Sequence, residues 1–72
     1  MKMIYDPDTD TLTLILREVS VKESDEIRDG LIVDYGEDDK IAAIEMLDAS
    51  ENISEPQAFL YEIKGQTAAY KA

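Results

Sequence analysis

The apolar and polar positions of this chain fall into short strand-like segments, some alternating with the period of two of an extended strand and some running as short apolar stretches between turns. Thr11-Leu-Thr-Leu-Ile-Leu-Arg17 is the clearest stretch: Leu12, Leu14 and Leu16 point to one side, and Thr11, Thr13, Ile15 and Arg17 to the other. A short strand at residues 2–5 precedes it. Between the two, Asp6-Pro-Asp-Thr-Asp10 is a turn, because Pro7 sets a turn-compatible φ and Asp side chains cap nearby amides. A first hairpin is therefore predicted. A second lies in residues 29–50, where two apolar runs flank the acidic, Gly-containing turn at 36–40. Leu31, Val33 and Tyr35 share one face of it; Ala42, Ile44 and Met46 share one face of the partner strand; Asp34 and Glu45 mark the wetter side.

The rest of the chain is less regular. Val19 and Val21 alternate with polar residues, and Ser24-Asp-Glu-Ile27 predicts a short, charged edge strand of the kind that discourages edge-to-edge aggregation. Asp48-Ala-Ser50 supplies capping-type residues for a short helix near residues 48–54, and Glu55-Pro56 breaks it. Residues 58–64 fit two readings. A helix could start after Ser54, with Pro56 early and Gln57 in a capping-box position. A strand would put Phe59, Tyr61 and Ile63 on one face, and the aromatic and β-branched content favours it. Gly65 ends this segment, and residues 66–72 form a C-terminal tail. The expected architecture is one mainly β domain of the small α+β class over residues 1–65, an antiparallel sheet of about five or six short strands built from hairpins, with one short helix.

Size sharpens that expectation. A chain of 72 residues buries only about 60% of its unfolded surface, so the core is small and its stability about a few kcal/mol. With no Cys and no His there is no disulfide to supplement it and no zinc site built from those ligands. Domains of this kind often gain stability by dimerising. The second sheet face also asks for a cover, since Ile15, Ile32, Ile41 and Leu47 fall on it. The short helix can cover part of that face, and a second copy or another protein the rest; scattered surface aliphatics are the plainer alternative.

Charge changes the picture further. Seventeen acidic residues against seven basic ones leave a net charge of −10. Such a surface repels phosphate backbones, which argues against nucleic-acid binding. It also speeds encounter with a basic protein, although keeping a marginal domain soluble explains it equally well. The N-terminus has no apolar run suited to a signal peptide, and no segment approaches the roughly 18–20 apolar residues that span a bilayer. A cytoplasmic protein with no membrane contact is expected.

Candidate chemistry is sparse. Asp6-x-Asp8-x-Asp10 resembles the start of a calcium loop, but such loops need Gly at the sixth position and Glu at the twelfth, where this chain has Thr11 and Arg17. The serines have no His base, Gly30, Gly36 and Gly65 are isolated, and so small a sheet is not expected to enclose a substrate pocket of about several hundred Å3. No catalytic, cofactor-binding or metal-ligating residues are assigned, and the chain reads as a non-enzyme. Partner binding is the remaining class. Glu37, Asp38 and Asp39 at the hairpin tip could receive basic side chains; Ile15, Ile32 and Ile41 could supply contact area; Tyr70, in the tail, is a candidate aromatic anchor.

Several segments carry a resemblance. Tyr5-Asp-Pro-Asp-Thr-Asp-Thr-Leu12, the acidic Glu23-Ser-Asp-Glu26 leading into Asp29-Gly-Leu-Ile-Val-Asp-Tyr35, and Ile44-Glu-Met-Leu-Asp-Ala-Ser50 follow in order, with Pro56 and Leu60-Tyr-Glu-Ile63 beyond them. Together they resemble the short prokaryotic domain-of-unknown-function family 2283, over about residues 2–64. The resemblance implies a small β-rich fold with a short helix near the Asp-Ala-Ser segment, and brings no established activity, cofactor or catalytic residue. Members are often predicted to be encoded beside a small toxin-like protein, so the resemblance implies an antitoxin-like or other neutralising role, here toward a basic, ribonuclease-like partner. A stand-alone homodimer with a structural or ligand-sensing role is the competing expectation.

Overall fold

The computed structural model describes residues 1–65 and 69–71. Five strands build one antiparallel sheet: β1 (Lys2–Asp6), β2 (Thr11–Ile15), β3 (Val21–Arg28), β4 (Leu31–Gly36) and β5 (Ile41–Met46). One helical turn follows, α1 (Ala49–Asn52), and then a separate two-stranded ribbon of β6 (Leu60–Glu62) and β7 (Ala69–Lys71). The spatial order of the sheet is β1-β2-β5-β4-β3, so the two predicted hairpins lie side by side with β2 against β5. The fold is mostly β with one short helix, as the alternation predicts.

Pairing sets the two faces. Direct partners in an antiparallel ladder share a face. Met3, Leu14, Ile44 and Val33 form one row of the first face, and Tyr5, Leu12, Met46 and Leu31 the next. On the second face the rows are Ile4, Thr13, Glu45, Ile32 and Lys2, Ile15, Ala43, Asp34, Ser24. Segment 56–59 passes over the first face beside Met3, Tyr5 and Leu12, leaving a crevice of about 130 Å3. The core is thin: Val33, Ala42, Ala43 and Ala49 are its buried apolar residues, and among the described residues no large side chain is completely buried.

Three elements differ from expectation. β2 stops at Ile15, because the amides of Leu16 and Arg17 both donate to the Ala42 carbonyl, at 2.8 and 3.1 Å, and the chain turns out of the ladder. The edge strand is longer than the sequence indicates: β3 pairs with β4 over eight residues, with register shifts between Val21 and Glu23 and between Glu26 and Arg28. Pairing to a neighbour overrides weak local propensity there. Segment 58–64 is a strand only at Leu60–Glu62, since Ala58 and Phe59 belong to the cover of the first face. Within the expected tail, the backbone at Ala69, Tyr70 and Lys71 pairs with Glu62, Tyr61 and Leu60.

The connection from β2 to β3 crosses the sheet. Its Val19 lies so close to Gly36 that a Cβ there would meet Val19 Cγ2 at 3.1 Å and the Arg17 guanidinium at 3.3 Å. Glycine at this position lets the crossover close down on the β4–β5 end. Gly30, at φ 81°, supplies the left-handed step of the β3–β4 turn, and its carbonyl accepts the Leu47 amide at 2.8 Å.

Candidate functional site

The Asp-rich turn and the Asp-Ala-Ser segment, far apart in sequence, meet at Asp10. This residue closes the β1–β2 turn with φ 55°, a conformation Asp tolerates better than most residues. Its carboxylate accepts Tyr5 Oη at 2.7 Å, Ser50 Oγ at 2.7 Å and the Ser50 amide at 3.0 and 3.2 Å, while its carbonyl accepts the Ala49 amide at 2.9 Å. The two leading amides of α1 are thus capped from another element. Asp48, expected as the cap, is left-handed itself and its side chain makes no cap bond. Ser50, then Tyr5, holds the Asp10 carboxyl below its ordinary pKa, and the bond to Asp10 raises the Tyr5 phenol in turn. A carboxylate held ionised with its oxygens occupied is a clasp rather than a base. Of the other acids in this turn, Asp6 accepts the Asp8 amide at 2.9 Å, which is turn capping.

At the hairpin tip the structure separates the three predicted acids. Asp38 forms a two-pronged pair with Arg17, at 2.8 and 3.0 Å, and Asp39 pairs with Lys22 at 3.0 Å. The Arg17 guanidinium, with the Lys40 amide, depresses the Asp38 carboxyl to about 2. Arg17 also donates to the carbonyls of Ile41 and Lys40, at 3.2 and 3.1 Å, tying the crossover to this turn. Two of the three acids are therefore already paired within the chain. Among the described residues, Glu37 alone of the three makes no ion pair or side-chain hydrogen bond and stands exposed.

The apolar candidates also divide. Ile15 and Ile32 are half-buried on the second face, as expected. Ile41 is not opposite Gly36: the register shift after Asp34 makes Ala42 the extra residue and sets Ile41, 41% exposed, opposite Tyr35. Leu47 has left the sheet and lies exposed in the bend before α1. Tyr70 has its backbone opposite Tyr61, and its side chain falls outside the described residues.

The second face carries a groove that sequence reasoning missed. The crossover forms one wall, with Arg17, Val19 and Val21; Thr13, Ile15 and Ala43 line the sheet side, and Asp34 and Glu45 reach its floor. Its volume is about 470 Å3, more than so small a sheet was expected to offer, and it opens to solvent. Asp34 is not on a wet surface. It is 6% exposed, and Ser24 Oγ donates to its Oδ1. The Asp34 carboxyl raises the pKa of the diagonally neighbouring Glu45, and burial raises it further. Two adjacent carboxyls ringed by aliphatics can share a proton or accept a cationic group from outside. An acid inside the apolar run Leu31-Ile-Val-Asp-Tyr35 was the available signal, but the bulged β3–β4 register that brings Ser24 to it was not readable.

No cluster of three or more metal-ligating side chains occurs among the described residues, and none of their helices is long and apolar enough to cross a membrane. A family model described as a protein of unknown function matches residues 2–50, and no curated protein and no solved structure matches the chain. The matched span holds β1 to β5 and the Asp10 clasp, and ends before Pro56 and residues 60–63, to which the resemblance was extended.

Proposed function

This chain belongs to the family that model represents, DUF2283, and we propose that it is a non-enzymatic interaction domain that binds a basic protein across its second sheet face. One observation carries the reading: the groove flanked by Val19, Val21 and Ile15, with Arg17 in its wall and two carboxyls on its floor, on a chain of net charge −10. Long-range charge steers a basic partner in, Val19, Val21 and Ile15 exclude water, and a Lys or Arg side chain meets Asp34 and Glu45 where water no longer screens the pair. The finer form of this reading is antitoxin-like neutralisation of a small basic, ribonuclease-like protein.

Exposed aliphatics support a partner of some kind: Val19 and Val21, beside the groove, are 46% and 51% exposed. Self-association across the same face would confront carboxyl floor with carboxyl floor, which favours a partner of opposite charge over a second copy.

The test is affinity capture from native lysate with the wild-type chain, a Val19→Asp variant and a Glu45→Gln variant, at low and high salt. A basic protein held by wild type at low salt and lost from Val19→Asp is the expected result. Equal capture by all three chains would place binding away from the groove. A wild-type chain that brings down no basic protein and runs as a dimer in light scattering would replace this reading with the homodimer.

A further inference from the structure

Building on the reading of this chain as a binder of basic proteins, we propose that the outer edge of β3 accepts an extended Lys/Arg-rich segment of the partner as a sixth strand of the sheet. β3 is the last strand in the sheet order, and no described strand pairs with its outer side. All eight of its residues are exposed. An exposed edge presents alternating N–H and C=O groups, which is the template for strand addition. Residues 23–26 keep regular register with β4 between the two shifts, giving an uninterrupted template about 13 Å long.

Charge on that edge selects the occupant. Glu23 and Asp25 stand opposite Tyr35 and Val33, on the first face; Glu26 stands opposite Ile32, on the second. The Glu26 Oε2 also accepts the Gly30 amide at 3.0 Å, which keeps its carboxylate beside the strand end. Of the flanking cations, Lys22 is committed to Asp39 at 3.0 Å. An added strand therefore meets carboxylates on both faces, and matches them best with basic residues at successive positions rather than at every second one. A copy of this chain is a poor occupant. Pairing residues 23–25 with the same residues of a second copy sets Glu23 against Asp25 in both directions, besides bringing together two chains of charge −10. The bulges at either end and the acids between them deter self-pairing and leave the basic strand as the fitting partner.

The experiment titrates the isotope-labelled full chain with a short peptide that sets a run of consecutive Lys among Val and Thr. A second peptide has the same sequence but is N-methylated at alternate residues, which keeps its charge and removes one edge of backbone donors. Slowed amide exchange confined to alternate residues of β3, with the methylated peptide at least about tenfold weaker, is the expected result. A Glu23→Lys/Asp25→Lys chain, altered only at exposed positions and with β4 and β5 spectra unchanged, should lose the parent peptide. Equal binding of the two peptides would overturn the added strand, as would perturbations centred on Glu45 with β3 unprotected. Either result would leave the binding of a basic partner standing on its own test. Failure of the parent peptide to bind at low salt would likewise overturn the added strand.

Discussion

Asp10 accepts from a phenol, a hydroxyl and an amide at once, and Asn could not serve all three donors with its single carbonyl oxygen. An Asp10→Asn chain is therefore expected to melt lower than wild type at pH 7 and to lose amide protection at Ser50. The pH dependence has a definite sign. The folded-state pKa of Asp10 lies below its ordinary 3.8, so its contribution is present above about pH 4 and is lost as pH falls through the folded value. Thermal melts of the two chains should converge below that value; a constant gap down to the acid limit would mean the carboxylate charge is irrelevant. Ala49, beside it, is 0% exposed. Ala49→Val puts two methyl groups where there is no room and is expected to cost about 1–3 kcal/mol in chemical denaturation. An unchanged midpoint would show that α1 can lift from the sheet without penalty.

At the level of elements, the central pair β4 and β5 combines the best-buried apolar residues with two carboxyls, and this makes it sensitive to pH. Glu45 titrates above its ordinary 4.5 because of Asp34 and burial. The fold favours its protonated form, so stability is fully present below about pH 4.5 and declines as pH rises through the folded-state pKa. Glu45→Gln keeps the shape and removes the charge. This variant should match wild type at acid pH and exceed it at pH 7, and melts across that range decide the matter. If it matches wild type at acid pH but is weaker at pH 7, Glu45 contributes through a hydrogen bond in its charged form. The crossover between β2 and β3 depends on one residue in a comparable way: Arg17 joins the turn at Asp38, Lys40 and Ile41.

For the whole molecule, the thin core and the charge set the terms. Screening by salt relieves the self-repulsion of a chain at −10, so the melting temperature should rise between low and moderate ionic strength. Truncation separates the parts that support the sheet from those that do not. β6 pairs with β7 rather than with the sheet, and Leu60 is 67% exposed. Removing residues 60–72 should shift stability by no more than about 0.5 kcal/mol. Removing residues 55–72 also uncovers Met3, Tyr5 and Leu12, and should cost about 1–2 kcal/mol more. Equal losses from both truncations would mean that the ribbon, not segment 56–59, supports the sheet.

Period-two alternation is a local property, and it located both hairpins, the inner face of Leu12, Leu14, Leu31 and Val33, and the mostly β class. Capping residues and Pro56 likewise placed the single helical turn near its observed position. Composition bounded the size of the core and the sign of the surface. The site was much less legible, because each part of it depends on contacts between residues distant in sequence. The bulge at Ala42 that turned Ile41 opposite Tyr35, the shift in β3 that brought Ser24 to Asp34, and the Asp10 clasp on α1 are settled by which strands lie side by side. Alternation says which way a side chain points from its strand. Only the assembled sheet decides whether an acid such as Asp34 meets water or another carboxyl, because that depends on what the neighbouring strands and the crossover leave room for.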